Sequence, residues 1–291
     1  MMKVLTLCSL LLSVLFYAQD YEILKLKPFY KTKVSDTLAE TSALAFTNQK
    51  LFSLNDSGNL PEIYQLNPNN GSIEEVLTTD IPNVDWEAIA YDKGNFYIGD
   101  FGDNLGKRQD LTIYQLSQPS EEPKLTLSKK IEFYYPEQKS FVSRNMKHNF
   151  DAEAMIFLDN KVHVFTKEWE SKKTSHYVID PIMPNKQAAQ KVEEVKIGFV
   201  VTDASYHQGK LYLIGYTKGM EVYLVVADED EKGLFFSQPI RKYFLGSTLS
   251  LGQIEGIATT DEGLYISGEE FNLKLIKAQQ SLYFLPYNKL K

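Results

Sequence analysis

Four glutamates recur in this chain within one short pattern, an acid followed by small and apolar residues: Glu40-Thr-Ser-Ala-Leu-Ala, Glu87-Ala-Ile-Ala, Glu153-Ala-Met-Ile and Glu255-Gly-Ile-Ala. Asp203-Ala-Ser-Tyr is a degenerate fifth copy. Carboxylates brought together repel, and each resists ionising unless a positive charge compensates it. A bound cation is the simplest compensation. Oxygen donors without cysteine and with few histidines suit calcium or magnesium rather than zinc. Calcium, with its larger and less regular shell, is the expected cofactor, and Glu40, Glu87, Glu153, Asp203 and Glu255 are its candidate ligands. The segment Asp100-Phe-Gly-Asp-Asn-Leu-Gly lacks the spacing and the distal Glu of an EF-hand loop.

The residues after each acid repeat as well, and they show what must position it. A polar turn follows, such as Asp92-Lys93-Gly94-Asn95 or His207-Gln208-Gly209-Lys210, then an alternating strand, such as Phe96-Tyr-Ile98 or Leu211-Tyr-Leu-Ile214. These are hairpins. From acid to strand is nine residues in three copies, eleven in the first and eight in the degenerate one. Successive acids are 47, 66, 50 and 52 residues apart, close to the roughly 40–50 residues of a four-stranded propeller blade. The expected fold is therefore an all-β, single β-propeller of five four-stranded blades. Six blades would require the longest interval, with its extra segment from Pro119 to Asn149, to hide a weak copy. The last copy has only about three strands before the chain ends, so Tyr21–Tyr30 is expected to supply its outer strand and close the ring.

In a propeller the first strand of each blade lines the channel, so the acids should stand at one height, facing one mouth. The second strand runs back and ends at the same mouth. Its polar termini are Asn55-Asp56-Ser57, Asp100 with Asp103-Asn104, Thr166-Lys167-Glu168, Tyr216 and Glu269-Glu270. From these, Asn55, Asp56, Asp100, Asp103, Asn104, Lys167 and Glu269, with Arg108 as a nearby cation, are the candidate ligand-binding residues. Trp86 is expected in the core or at the rim. The four histidines, 148, 163, 176 and 207, share no metal spacing, and no Gly-x-Ser-x-Gly, His-Glu-x-x-His or phosphate-binding Gly loop occurs.

Residues 1–18 are a different material. Lys3, an apolar run from Val4 to Phe16 and Ala18 before polar Gln19-Asp20 have the plan of a signal peptide. The run is too short to span a membrane. The expectation is export, to the medium or the periplasm, of a propeller domain at 19–291 without cysteine, and of a monomer. With 31 Lys and Arg against 38 Asp and Glu, and a net charge of −7, the chain lacks the basic face of a general nucleic-acid binder. A small-molecule or protein ligand remains as the expected partner.

The glutamate starts at 40, 87, 153 and 255, with Asn55-Asp56-Ser57-Gly58, Asp85-Trp86-Glu87 and Gly99-Asp100-Phe-Gly-Asp-Asn104 plus Arg108, resemble secreted bacterial propellers of the phytase-like or SdiA-regulated kind. The resemblance covers most of residues 38–290. It implies a calcium in the channel and, in some members, hydrolysis of phosphate esters or lactones. Two functions are thus expected in competition. One is a calcium-binding propeller that recognises a ligand or partner on its carboxylate rim. The other is a metal-dependent hydrolase of an ester, lactone or phosphoester, with Glu87 or Glu153 as general base.

Overall fold

The computed structural model describes residues 21–118, 122–273 and 276–290. The expected signal peptide lies outside the described residues. The strands form five sheets, each built on four antiparallel strands, and a short parallel fifth strand extends two of them. A separate hairpin pairs Phe271–Leu273 with Ile276–Ala278. Blade one is Thr41–Thr47, Lys50–Asn55, Glu62–Leu66 and Ile73–Thr78. Blade two is Trp86–Asp92, Asn95–Asp100, Thr112–Ser117 and Thr126–Tyr134. Blade three is Asp151–Leu158, Lys161–Lys167, Thr174–Ile179 and Gln190–Val195. Blade four is Val200–His207, Lys210–Tyr216, Glu221–Asp228 and Arg241–Ser247. Blade five is Gln253–Thr259, Gly263–Glu269 and Ser281–Pro286, completed by Tyr30–Lys33 from the other end of the chain.

The fold is a five-bladed propeller, with the inner strands packed side by side in a closed ring. Alternation along each strand puts apolar residues on both sheet faces, so the core is divided into five buried clusters, one per seam between blades. Trp86 is fully buried in the seam between blades one and two, its indole N–H donated to the Pro82 carbonyl at 2.9 Å. The long interval hides no sixth blade. It supplies the outer strand Thr126–Tyr134 and then a loop, 135–150, that reaches the channel mouth.

The N-terminal strand closes the ring, but over a shorter stretch than Tyr21–Tyr30. Glu22–Ile23 pairs instead, in parallel, with the outer strand of blade four. Pro28, which has no amide hydrogen for a ladder, sits in a 3-10 turn at Lys27–Phe29 and separates the two pairings.

That first pairing belongs to a rule obeyed all round the ring. The segment preceding each outer strand clips onto the outer strand of the blade before it. Thr78 of blade one exchanges 2.9 and 2.8 Å hydrogen bonds with Pro123 and Leu125. Phe133 and Tyr134 of blade two pair with Gln187 and Ala188. Blade four is clipped by Glu22–Ile23 and by the amides of Leu24 and Leu26, each 2.9 Å from its acceptor. Blade five is clipped at Ser35, whose amide donates to Gly71 at 3.1 Å, and at Thr32, whose hydroxyl donates to Asn70 at 3.0 Å. Gly71 has φ +69°, and a Cβ there would lie 2.3 Å from the Lys33 carbonyl oxygen, so only glycine permits this approach. Blade three is the exception in chemistry: Glu193 accepts the amides of Phe235 and Phe236 through its side chain, both at 2.9 Å.

Candidate functional site at the channel mouth

All five inner strands carry one bulge at the same level, which leaves a single extra residue unpaired: Ser42, Glu87, Glu153, Thr202 and Glu255. A bulge re-aims its side chain. Three of these residues are glutamates, and all three line one cavity of about 300 Å³ at the channel mouth, with Ser42 beside them. The opposite end of the channel has a smaller cavity of about 130 Å³, flanked by Phe46, Tyr91, Phe157 and Tyr206.

The bulges correct two of the expected positions. Glu40 lies two residues before the bulge of blade one, in register with Asp85, Asp151 and Gln253 rather than with Glu87. It is exposed and accepts the Asn59 side-chain amide at 2.8 Å. Asp203 lies one residue past its bulge and is fully buried deeper in the channel. Its carboxylate accepts the amides of Ala204, Ile257 and Leu44 at 2.8, 2.7 and 3.3 Å, which ties the inner strands of blades four, five and one together. Burial pushes its pKa well above the carboxylate range, against the pull of those amides. The bulge residues of these two blades are hydroxyls instead. Ser42 donates to Trp86 O at 3.2 Å and Thr202 to Ile254 O at 2.8 Å, each bridging to the next blade.

A second ring comes from the returning strands. Asp56, Lys167, Tyr216 and Glu269 occupy equivalent places and line the cavity, while Phe101 holds that place in blade two and is buried. Side chains one residue earlier point the other way, because strand neighbours face opposite sides. Asn55 accordingly donates to Thr37 O at 2.8 Å, away from the cavity. Asp100 accepts the amides of Val84 and Asp85 at 3.3 and 3.1 Å and the Arg108 guanidinium at 2.9 Å. Arg108 also donates to Gly102 O at 3.0 Å and to Asp110 at 3.0 Å. Asp103 accepts the amides of Lys107 and Arg108 at 2.9 and 3.0 Å. Asp100, Asp103 and Arg108 therefore frame the loop that carries Asp85, whereas Asn104 lines the cavity itself.

Asp56, Asp85 and Glu87 each present a carboxylate oxygen within 4.8 Å of the other two. Among the described residues none of the three is ion-paired. Gly102 makes room for them, since a Cβ there would stand 2.4 Å from Glu87 Oε1 and 2.6 Å from Asp85 Oδ2. Asp85 belongs to the motif Asp85-Trp86-Glu87 but is absent from the ligands expected from sequence. The available signal is the acid two residues before the bulge, present at Glu40, Asp85 and Asp151 alike.

The far side of the mouth has its own cation. Lys167 is buried and bonded to Glu153, and its ammonium lies 5.3 Å from the centre of the Trp169 ring. Glu255 accepts Gln253 Nε2 at 2.6 Å and the Tyr216 hydroxyl at 3.3 Å. Burial opposes the charge on Lys167, but Glu153 and its neighbours hold the pKa well above the ordinary lysine value. The carboxylates outnumber this single ammonium. Burial first, and then mutual repulsion, pushes Glu87 far up, Asp85 up to about 7 and Glu269 up to about 9. A second carboxylate oxygen of Glu153, Oε2, is buried with no hydrogen-bond partner.

No family model matches this chain, and no curated protein does. Among solved structures it is similar to a protein described as an oxidoreductase (glucose dehydrogenase) from Thermus thermophilus, at 10% identity and TM-score 0.43, covering 88% of this chain and 98% of that one. It is similar to the hydrazine synthase of Kuenenia stuttgartiensis at 12% identity and TM-score 0.42, covering 87% of this chain and 67% of that one. It is also similar to the computationally designed Ika8 protein at 10% identity and TM-score 0.37, covering 88% and 99%. These likenesses are remote, and the fold assignment rests on the strand pairing itself.

Proposed function

We propose that the chain is a calcium-binding propeller that presents the ion, at the carboxylate mouth of its channel, to a small-molecule or protein ligand. The observation that carries this reading is the Asp56, Asp85 and Glu87 triad, whose oxygens lie within 4.8 Å of one another over Gly102. Two oxygens that share a calcium at about 2.4 Å are at most ~4.8 Å apart. The donors are all carboxylate oxygens, which suits a hard cation. A 300 Å³ cavity leaves room for a ligand beside such an ion. The resemblance of these motifs to phytase-like propellers points the same way. The ligand set differs from the five repeated acids: the ion belongs to the seam of blades one and two, because Lys167 already compensates Glu153 opposite. The hydrolytic alternative would need a free general base; Glu153 is engaged by Lys167, and in this reading Glu87 is taken up as a ligand of the ion. Binding is therefore the reading preferred.

A ligand held only by the folded form stabilises it by mass action, about 2.7 kcal/mol at a hundredfold excess over its Kd. Calcium should raise the Tm of chelator-treated protein, and calorimetric titration should give one site. Gly102→Ala, which thrusts a methyl group between Glu87 and Asp85, should weaken calcium at least tenfold. Equal Tm values in calcium and in chelator would end this proposal.

A further inference from the structure

Four of the five clips between neighbouring blades are built from backbone groups or a hydroxyl, none of which titrates. The fifth hangs on a buried chain of ionisable side chains. Glu193 accepts the amides of Phe235 and Phe236 from the connector of blade four, and it also binds His176 Nδ1 at 2.8 Å. His176 Nε2 lies 2.8 Å from His163 Nδ1. His163 Nε2 is buried with no hydrogen-bond partner. All three side chains are more than nine-tenths buried, and His176 is stacked on Phe165 at 4.7 Å with Phe235 at 5.6 Å.

The proton positions follow from the donors available. An ionised carboxylate only accepts, so His176 Nδ1 donates to Glu193. His176 Nε2 is then the acceptor for the proton on His163 Nδ1, and His163 Nε2 carries a bare lone pair. One further proton can be absorbed by shifting the tautomers along the chain. A second cannot, because two imidazolium rings would face N–H against N–H across 2.8 Å in an apolar seam.

We propose that His163, His176 and Glu193 form an acid-released clip: full protonation breaks the chain, and the connector 229–240 of blade four detaches from the outer strand of blade three. Burial, and next the charge of His176, pushes the pKa of His163 down to about 4. Few other charges face the chain. The Leu158 backbone and then Asp159, both on the inner hairpin of blade three, favour the protonated ring without outweighing burial. Glu229 on blade four is bonded by the Tyr206 hydroxyl, whose ring lies 6.1 Å from Phe235. The sign is that of a base whose folded pKa is depressed. The clip is sound at and above the ordinary histidine value of 6.5 and weakens as pH falls from there towards 4.

The test is amide hydrogen exchange on the whole folded protein, expressed as protection corrected for intrinsic exchange. Protection at Phe235 and Phe236 should fall about tenfold per pH unit below about 6.5, the slope of one proton. The backbone clips at Leu26 and Leu125 should show no such slope. His163→Phe keeps a flat ring, takes up no proton and should abolish the slope. A pH-independent protection of Phe235 and Phe236, or an unchanged slope in His163→Phe, would overturn the proposal. Should that variant fail to fold, nitrogen chemical shifts of the native imidazoles decide. His163 neutral below about pH 5 supports the clip, and His163 titrating near its ordinary value refutes it.

Discussion

Asp85 and Glu269 keep their protons to about pH 7 and about pH 9 because burial and like charges penalise their ionised forms. Both folded values lie above the unfolded ones. Their contribution to stability is therefore complete in acid and is lost as pH rises, to about 7 for Asp85 and to about 9 for Glu269. A divalent ion removes that penalty, and to bind it must displace the proton on Asp85. Calcium affinity should accordingly rise about tenfold from pH 6 to pH 8 on this group alone. The Tm gain from calcium over chelator, measured at both values, should be clearly larger at pH 8; equal gains would mean that Asp85 is not a ligand. Much of this candidate site was legible in the chain, and the two acids that stand apart from the bulge level, Glu40 and Asp203, share one cause. Glu87, Glu153 and Glu255 stand nine residues before their second strands, and so do Ser42 and Thr202. Holding that interval constant would have replaced Glu40 and Asp203 with the two hydroxyls. Asn55 and Asp100 turn away from the cavity because strand neighbours face opposite sides, and a one-residue shift in a strand end reverses that alternation. The loop geometry that frames Asp85 through Arg108 has no sequence period and could not be read.

At the level of elements, hairpins, turns and inner strands follow from alternation and turn residues. The division of the N-terminal segment does not, because Tyr21–Tyr30 reads as one alternating run until Pro28 is given its weight. Its two halves do different work, which two truncations separate. Removing the chain through Phe29 deletes the clip on blade four but leaves Tyr30–Lys33 paired with Ser281–Pro286. That protein should elute on gel filtration as the full chain does, with a lower Tm. Removing the chain through Val34 exposes the apolar edge of Ser281–Pro286, and an unpaired edge of that kind recruits other chains. It should aggregate. Equal behaviour of the two truncations would show that strand closure is not what keeps the last blade soluble.

Across the whole molecule, five seams and five clips give every blade two neighbours and one clip to the next blade. Four of the clips run through backbone groups or a hydroxyl, and that of blade three through Glu193. The first and last described residues, Tyr21 and Leu290, flank the gap between the third and fourth strands of blade five. Leu24 and Leu290, near those ends, pack against one cluster. Every other blade has a connector at that same place, and in blade four it is 229–240, with exposed Glu231 at its turn. The gap in blade five stands where these four connectors stand, between the third strand of a blade and its outer strand. A circular permutant that joins the present ends by a short linker and opens between Glu231 and Lys232 would begin with the segment bearing Phe235 and Phe236. It would then run into an outer strand, as the native chain does from Glu22. It should fold with the elution volume of the unpermuted chain, and failure to fold would show that one blade must form first. Success would mean that this ring has no intrinsic beginning, and that its first residue could have been encoded at any of five places.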